Sequence, residues 1–373
     1  MVQALTRFEE TAVDFTLSET QQAVRGVITD ALDRDTAGWK ALASAGLLGI
    51  AVPEEYGGEG LGLPEVGVML HEVGRRAVAL PVWETLACGV LTLTRSGTPE
   101  QRAVLLPEVA AGESILAAAL QEPGMGIPAA PGTTLRKQGE RLLLSGRKVG
   151  VAYAADAYRI LVPAGVSGVH GAASQSVVLL DPRAPGVTVM PTRASRGEVE
   201  ATLLLDDVEV GPEDVLGGLE NADAADHLRR HATAGLCLLG DGLVSGARDL
   251  TAGYVSQRRQ FGRALAEFQA VAQQMADVYV ASRTIGVAAT SAAWRLSVEA
   301  ETRIDTDEDL AVAAYWFAVE GPAALHTCHH LHGGMGVDVT YPLHAYYSWA
   351  KDIARALGGT HLTLDAVAAR AIG

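Results

Sequence analysis

The spacing of hydrophobic and polar residues changes twice along the chain. Between residues 18 and about 113 the apolar side chains recur at helical spacing, and a capping box formed by Ser18 and Gln21 predicts where the first helix begins. Between residues 114 and about 216, short runs rich in Val and Leu are bounded by Gly, Pro and Asp, which is typical of antiparallel strands joined by short turns. From residue 217 to 373, long segments rich in Ala, Gly and Leu predict a helical bundle.

This order of elements predicts an α+β protein with three domains, which its 373 residues can accommodate. We expect an N-terminal helical domain at residues 1–115, a middle antiparallel β-barrel or β-sandwich domain at residues 116–217, and a C-terminal four-helix bundle at residues 218–373. The small side chains of the last region would allow its helices to approach one another closely.

The composition narrows the class of function. The chain has 29 Lys and Arg residues against 44 Asp and Glu residues, and this net charge of −15 argues against a nucleic-acid-binding surface and against docking on an anionic membrane. With 49% hydrophobic and 20% charged residues, the chain can fill a large core and is too weakly charged for a disordered protein. Three widely spaced cysteines predict no disulfide framework. Because no signal peptide and no long apolar run are visible, we expect a cytoplasmic protein.

Two separate C-terminal segments resemble signatures of the acyl-CoA dehydrogenase family. The first is an Arg-Arg-Gln-Phe-Gly sequence at residues 258–262 that is followed by Phe-Gln at residues 268–269, and the second is a His-Leu-His-Gly-Gly turn at residues 330–334. Shorter matches are Tyr-Gly-Gly at residues 56–58 and Glu-Pro-Gly at residues 122–124. The resemblance extends over nearly the whole chain, and it implies the family's fold of a helical, a β and a second helical domain.

The resemblance also implies that the cofactor is FAD. The guanidinium of Arg258 could form charge-assisted hydrogen bonds with the pyrophosphate, and Gly333 and Gly334 would let backbone approach a ligand closely. In enzymes of this family the two motifs contact the flavin that is held by a neighbouring subunit. The predicted cofactor-contacting residues are Arg258, Gln260, Phe261, Leu265, Phe268, Gln269, His330, Leu331, Gly333 and Gly334.

The residues that would hold this chain's own flavin depart from the family pattern. The family places a Trp and, two residues later, a Thr behind the flavin ring, whereas this chain has Gly150 and Ala152. The loop after Glu-Pro-Gly lacks the usual Ser-Asp or Ser-Asn, and His361 stands where the family prefers a Gln. The sequence therefore predicts a vestigial site of its own and an FAD that is shared with a partner subunit.

The catalytic base that the resemblance implies is also missing. The family desaturates acyl-CoA thioesters, and a Glu removes the α-proton while the β-hydrogen leaves as hydride. One of the two family positions for this Glu is Gly358 here, and the other lies on a helix around Arg230 and His231 that has no acid between Asp226 and Asp241. His231 could in principle act as a base, but its Arg neighbours disfavour the cation that would form. We therefore assign no catalytic residue to this chain.

A group of His and Cys residues near the glycine turn has the residue types of a zinc site. Its members are His326, Cys328, His329, His330 and His332. Because these side chains would point in different directions on a helix that runs into a turn, we expect no metal site here.

These observations favour one function and leave two others open. The favoured one is the non-catalytic subunit of a heterotetrameric (α2β2) acyl-CoA dehydrogenase of actinobacterial steroid (cholesterol) side-chain degradation, because the His-Gly-Gly-x-Gly turn resembles that subgroup. A homologous partner would carry the catalytic Glu and bind most of the acyl-CoA substrate. The alternatives are a self-sufficient homotetramer with a displaced base and a structural or regulatory member without redox chemistry.

Overall fold

The fold was analysed in a computed structural model that describes residues 15–33, 38–168, 171, 174–195, 199–302 and 306–372. Residues 1–14 of the predicted N-terminal domain lie outside the described residues. Among the helices of the described ranges, none is both long enough and apolar enough to cross a lipid bilayer.

The N-terminal region is helical, as predicted. The capping box is present, because Ser18 Oγ accepts a hydrogen bond from the Gln21 N–H at 3.2 Å and Gln21 Oε1 accepts one from the Ser18 N–H at 3.0 Å. The α-helices of this region are α1 (Glu19–Leu32), α2 (Trp39–Ser44), α3 (Leu63–Arg75), α4 (Leu91–Ser96) and α5 (Pro99–Ala110). A π-helical stretch at Trp83–Val90 runs directly into α4.

The middle region contains the predicted strands, each within a residue or two of its Val- and Leu-rich run. Two short strands that the pattern did not indicate, β1 and β2, precede them. The strands are β1 (Leu116–Ala118), β2 (Thr134–Gln138), β3 (Arg141–Ala152), β4 (Arg159–Ser167), β5 (Gln175–Leu180), β6 (Val187–Arg193) and β7 (Val199–Val210). They form one sheet in the order β1-β4-β2-β3-β7-β6, with β5 also paired to β4.

The sheet is mixed, and this corrects the expectation of purely antiparallel strands. Strands β1 and β2 both pair in parallel with β4, whereas the other pairings are antiparallel. Parallel neighbours need a long connection, and here the chain passes through β3 between β2 and β4. A pattern of apolar runs predicts that strands exist, but it does not specify which edges pair.

The C-terminal region is again helical. Its helices are α6 (Ala224–Gln257), α7 (Gln269–Thr302), α8 (Asp307–His332), α9 (Leu343–Ala356) and α10 (Gly359–Ile372). A two-stranded hairpin of β8 (Arg259–Gln260) and β9 (Arg263–Ala264) follows α6. The three long helices, α6 to α8, pack side by side, and α9 and α10 cover α8. The predicted α+β class with helical, β and helical regions is therefore confirmed.

One apolar core joins the N-terminal and C-terminal helices, and a second fills the sheet. Helices α3 and α6 lie especially close to each other, because glycines of α6 face the backbone of α3. A Cβ added at Gly242 would overlap the carbonyl oxygen of His71, and one at Gly246 would overlap that of Arg75. This close packing brings α6, and the loop that follows it, into a fixed relation with the rest of the chain.

Candidate functional site

The first predicted cofactor motif forms an exposed hairpin after α6. Phe261 and Gly262 are the two turn residues between β8 and β9, and both have positive φ, +51° and +81° respectively. Two positive φ angles are characteristic of a type I′ turn, which places a non-glycine residue in a sparsely populated conformation at Phe261. The Phe261 side chain is nevertheless 92% exposed. The hairpin therefore presents an aromatic ring to solvent at a cost in backbone strain.

Cationic and aromatic side chains surround this turn. Arg258 closes α6 by donating its N–H to the Tyr254 carbonyl at 2.8 Å, and its exposed guanidinium has no carboxylate partner within the described residues. The Arg263 guanidinium lies 3.9 Å from the centre of the Phe268 ring, and Phe268 meets Phe261 edge to face with centroids 6.3 Å apart. These contacts order the hairpin without neutralising its positive charge.

The remaining predicted residues of this motif lie beside the hairpin. Gln260 is exposed on β8, and Gln269 is the exposed first residue of α7. Leu265 is half-buried, and its N–H donates to the Arg258 carbonyl at 2.8 Å, which closes the loop on itself. The motif is thus one compact structural unit.

The second predicted motif is the turn that ends α8. Gly333 follows His332 with a φ of +60°, and no atom lies within 4 Å of the position that a Cβ would take on Gly333 or on Gly334. His330 is exposed, whereas Leu331 is buried against the helices. The turn therefore offers bare backbone at the surface, where a ligand could approach closely.

Side chains of this chain lie against Gly150, the position predicted to stand behind its own flavin. The Arg355 guanidinium on α9 donates from Nη1 to Oε1 of Gln121 at 2.9 Å. A Cβ on Gly150 would lie 3.0 Å from Nε2 of Gln121 and 3.1 Å from Nη1 of Arg355. The station at which the family has a Trp is therefore covered by a guanidinium and an amide. Neither Gln121 nor Arg355 was singled out from the sequence, since nothing in either segment indicates the other.

Gly358, the first predicted position of the base, is closely surrounded. Gly358 has a φ of +102°, and its added Cβ would lie 3.0 Å from the Cβ of Leu362. On the other side, Gly126 is so close that its own added Cβ would lie 2.5 Å from the Gly358 nitrogen. The Ile127 N–H also donates to the Ala356 carbonyl at 2.9 Å, so the loop after Glu-Pro-Gly is tied to this segment.

A small cavity of about 50 Å³ lies beside Gly150, Gln121 and Arg355. That volume holds a few water molecules and is far below the several hundred cubic ångströms of an ordinary ligand pocket. Three carboxylates and one guanidinium lie in its lining, from Glu84, Glu200, Asp352 and Arg355. Arg355 Nη2 is 3.6 Å from Glu200 and 3.8 Å from Asp352, so this guanidinium lies close to both acids.

The second predicted position of the base lies on α6, around His231. Burial, together with the nearby His227 and Arg95, lowers the pKa of His231 to about 3, so this imidazole is a weak base. His231 does not line the 50 Å³ cavity. Arg230 donates to Asp307 at 2.9 Å and thereby ties α6 to the start of α8.

The Glu-Pro-Gly match has a structural role inside the β region. The buried Glu122 carboxylate accepts hydrogen bonds from Lys148 Nζ at 2.8 Å, from the Gly132 N–H at 2.7 Å, and from the N–H and hydroxyl of Thr133 at 2.9 Å each. Burial by itself would raise the pKa of Glu122. The hydrogen bonds from these donors have the larger effect and hold the pKa below its ordinary value. The carboxylate is thus ionised and fixes the loop that borders the closed site.

The histidines near the glycine turn have separate partners. Among the described residues, no three His, Cys, Asp or Glu side chains converge as ligands of a metal ion. His332 is instead buried and hydrogen-bonded to the Cys328 carbonyl, and His329 lies against the ring of Tyr347 with centroids 4.7 Å apart.

The sequence matches two family profiles. These are "Acyl-CoA dehydrogenase, N-terminal domain" over residues 3–113 and "Acyl-CoA dehydrogenase, C-terminal domain" over residues 225–372. Acyl-CoA dehydrogenase FadE28 of Mycobacterium tuberculosis is 44% identical over 359 residues, which cover 96% of this chain and 99% of that protein. Acyl-CoA dehydrogenase FadE27 of the same organism is 32% identical over 369 residues, which cover 93% and 95%.

Solved structures share the fold over the same length. A chain of the ChsE4-ChsE5 complex from Mycobacterium tuberculosis matches with a TM-score of 0.86 at 29% identity, covering 96% of this chain and 99% of that one. A chain of the Tcur3481-Tcur3483 steroid ACAD, solved as a variant, matches with a TM-score of 0.82 at 36% identity, covering 95% and 98%. With both C-terminal motifs present and relatives of this similarity along nearly its whole length, the chain belongs to the acyl-CoA dehydrogenase family.

Proposed function

We propose that this chain is the non-catalytic subunit of a heterotetrameric, flavin-dependent acyl-CoA dehydrogenase. It would complete the FAD site of a homologous partner subunit, and that partner would carry the catalytic Glu. The proposal rests on the difference between the two exposed loops and the residues around Gly150. Two loops present an unpaired guanidinium, an aromatic ring and bare glycine backbone to solvent, whereas the chain's own flavin station is covered by Arg355 and Gln121.

The closed station does not fit a flavin. A tricyclic ring needs several times the 50 Å³ that remain there, and Gly150 supplies no aromatic wall behind it. The lining of this cavity also carries three carboxylates, and phosphates placed beside them would be repelled. On these grounds we expect the space beside Gly150 to hold no flavin ring.

The two exposed loops do fit part of a dinucleotide. Arg258 would contact the pyrophosphate through its guanidinium, and Gly333 and Gly334 would lie against it without the obstruction of a Cβ. The apolar side chains of Phe261 and Phe268 would flank the adenine. When bound, FAD accepts the β-hydrogen of the acyl thioester as hydride.

The proton transfer requires a group that this chain lacks. A general base must lie within hydrogen-bond reach of the proton that it removes, and Gly358 has no side chain. His231, with its pKa lowered to about 3, is a poor substitute, which argues against a self-sufficient homotetramer. The base, and most of the acyl-CoA contacts, would therefore belong to the partner.

The similar proteins support a heteromeric assembly and a steroid substrate. One similar structure is a complex of two different chains, ChsE4 and ChsE5, and another is described as a steroid ACAD made of two chains. By this likeness we assign steroid side-chain CoA esters as the substrate class. An unpaired Arg258 on a strained, exposed hairpin argues against a purely structural member, which would have no use for these features.

Flavin stoichiometry tests the proposal. The chain would be purified alone and together with a homologous partner that carries the Glu, and FAD would be quantified by absorbance after denaturation. We expect no flavin in the lone chain and one FAD per heterodimer, with desaturase activity only in the complex. Stoichiometric flavin and turnover in the lone chain would contradict the proposal.

A pair of Arg variants sharpens this test. Arg258→Ala in the complex should release FAD, since the pyrophosphate loses a charge-assisted contact worth about tenfold or more in affinity. Arg183→Ala is the matched control, because Arg183 is an exposed arginine in the β region, hydrogen-bonded to Asp181. Equal FAD retention by the two variants would remove Arg258 from the cofactor site.

A further inference from the structure

Three aromatic side chains connect the two exposed loops beneath the surface. Tyr254 lies one helical turn before Arg258 on α6, and His332 is the last residue of α8, directly before Gly333. The rings of Tyr254 and His332 are stacked, with centroids 4.3 Å apart and planes 19° apart. Tyr341 also contacts His332, with ring centroids 5.3 Å apart and planes 51° apart.

The hydrogen bonds of His332 define its tautomer and its orientation. Nδ1 lies 2.8 Å from the Cys328 carbonyl oxygen, which can only accept, so Nδ1 carries the proton. Nε2 is then the acceptor for the Tyr341 hydroxyl at 3.1 Å. The His332 side chain is only 3% exposed, and burial lowers its pKa, which agrees with a neutral ring. The imidazole is thus held by two hydrogen bonds and two ring contacts.

The same contacts continue into the loops themselves. The Tyr254 carbonyl accepts the N–H of Arg258 at 2.8 Å, so a shift of Tyr254 would move the start of the hairpin. On the other side, His332 is joined by one peptide bond to Gly333, whose backbone has a φ of +60°. The stack therefore links the base of the hairpin to the base of the glycine turn.

We propose that Tyr254, His332 and Tyr341 are positioning residues that hold the hairpin and the glycine turn at the separation one dinucleotide requires. The inference rests on the proposed function, because it assumes that both loops contact the same FAD. Neither Tyr254 nor His332 touches the cofactor in this proposal. They act by holding the two loops in place before FAD binds. The loops then lose less conformational entropy on binding, and the entropic cost of binding is smaller.

This role differs from ordinary core packing in what it predicts. A packing role would lower the stability of the chain and leave the cofactor affinity of the folded complex unchanged. A positioning role weakens FAD binding in the folded complex, while kcat at saturating FAD stays the same, because the reacting groups belong to the partner.

The experiment uses the complete complex with its partner and measures the FAD dissociation constant from recovery of flavin fluorescence. Tyr254→Leu, which removes the stack, should weaken FAD binding about tenfold, and Tyr341→Phe, which removes one hydroxyl, should weaken it about threefold. Tyr254→Phe keeps an aromatic ring and should restore near wild-type affinity. Tyr158→Leu is the control, a half-buried tyrosine in the β region.

The outcomes separate this inference from the function on which it rests. If Arg258→Ala releases FAD but Tyr254→Leu and Tyr341→Phe only lower the melting temperature, the positioning role is wrong and the proposed function stands. If Arg258→Ala leaves FAD binding unchanged, the hairpin is not part of the FAD site and the positioning role is wrong as well. If the lone chain holds stoichiometric flavin and turns over, the proposed function itself is overturned. Should Tyr254→Leu fail to fold, the Tyr341→Phe result decides alone, since it deletes a single oxygen.

Discussion

Arg355 and Gln121 are joined by a hydrogen bond from Nη1 to Oε1 at 2.9 Å, although they lie 234 positions apart in sequence. Gly150 lies directly beneath this pair. The loss of the family's aromatic residue at that position and the presence of the guanidinium are therefore parts of one arrangement. A larger side chain could return to position 150 only if Arg355 left.

The first prediction concerns the space above Gly150. Gly150→Ala places a Cβ close to Gln121 and Arg355 at a φ of +64°, and Gly139→Ala has the same φ with nothing within 4 Å. Gly139→Ala should lower the free energy of unfolding by about 1 kcal/mol through backbone strain alone. Gly150→Ala should lower it by about 2 kcal/mol, because the new methyl group also crowds Gln121 and Arg355. Urea unfolding measures both. Equal costs would show that the guanidinium is not confined above Gly150.

The second prediction concerns an attempt to restore the base. Gly358→Glu should give no desaturase activity in the lone chain and should destabilise it by about 2 kcal/mol, since φ is +102° and Leu362 stands in the way. Gly60→Glu is the control, because Gly60 is exposed and has positive φ with open space around it. Turnover by the lone Gly358→Glu chain would mean that this chain can still form a working active site of its own.

The third prediction concerns acid stability. Burial would raise the pKa of Glu72, but hydrogen bonds with His71 and Arg76 lower it from 4.5 to about 2. Because the folded value lies below the unfolded one, the stabilisation is complete above pH 4.5 and is lost as the pH falls towards 2. Glu72→Gln should lower the free energy of unfolding at pH 7 by about 2 kcal/mol. This is less than the effect of breaking a fully buried ion pair, because the Arg25 partner is 54% exposed.

Urea midpoints measured between pH 2 and pH 7 check this prediction. The difference between wild type and Glu72→Gln should shrink steadily below pH 4.5 and vanish near pH 2. Glu59→Gln, at an exposed position, should follow the wild-type curve throughout. A Glu72→Gln difference that stays constant across this interval would mean that the ionised carboxylate is not what stabilises α3.

The fourth prediction concerns the contact between α3 and α6. Gly242→Ala should destabilise the chain by about 2 kcal/mol, because the new methyl group overlaps the His71 carbonyl and the helices must separate. Gly253→Ala on the same helix has open space and should stabilise it by about 1 kcal/mol through helix propensity. If α6 is packed as described, the melting temperature falls for Gly242→Ala and rises for Gly253→Ala. Shifts of the same sign would contradict the close approach of the two helices.

Local signals in the sequence were sufficient for much of the fold. The Ser18–Gln21 capping box acts within four residues, and its geometry is as expected. The longer strands follow from Val- and Leu-rich runs, because burial of a strand depends on its own side chains. β1 was missed because a three-residue buried strand has no alternation to detect. Its parallel partner β4 lies too far along the chain for any local pattern to specify.

The sequence by itself determined the family's two exposed motifs and the absence of a carboxylate at Gly358, since both depend only on which side chains are present. Only the tertiary structure decided which side chains stand beside Gly150 and what lies beneath the loops. The Arg355–Gln121 bond and the Tyr254–His332 stack join residues 234 and 78 positions apart, and such contacts arise when helices and strands pack together. The physical reason is that hydrogen bonds and ring contacts require a definite distance and orientation, which the chain acquires only by folding.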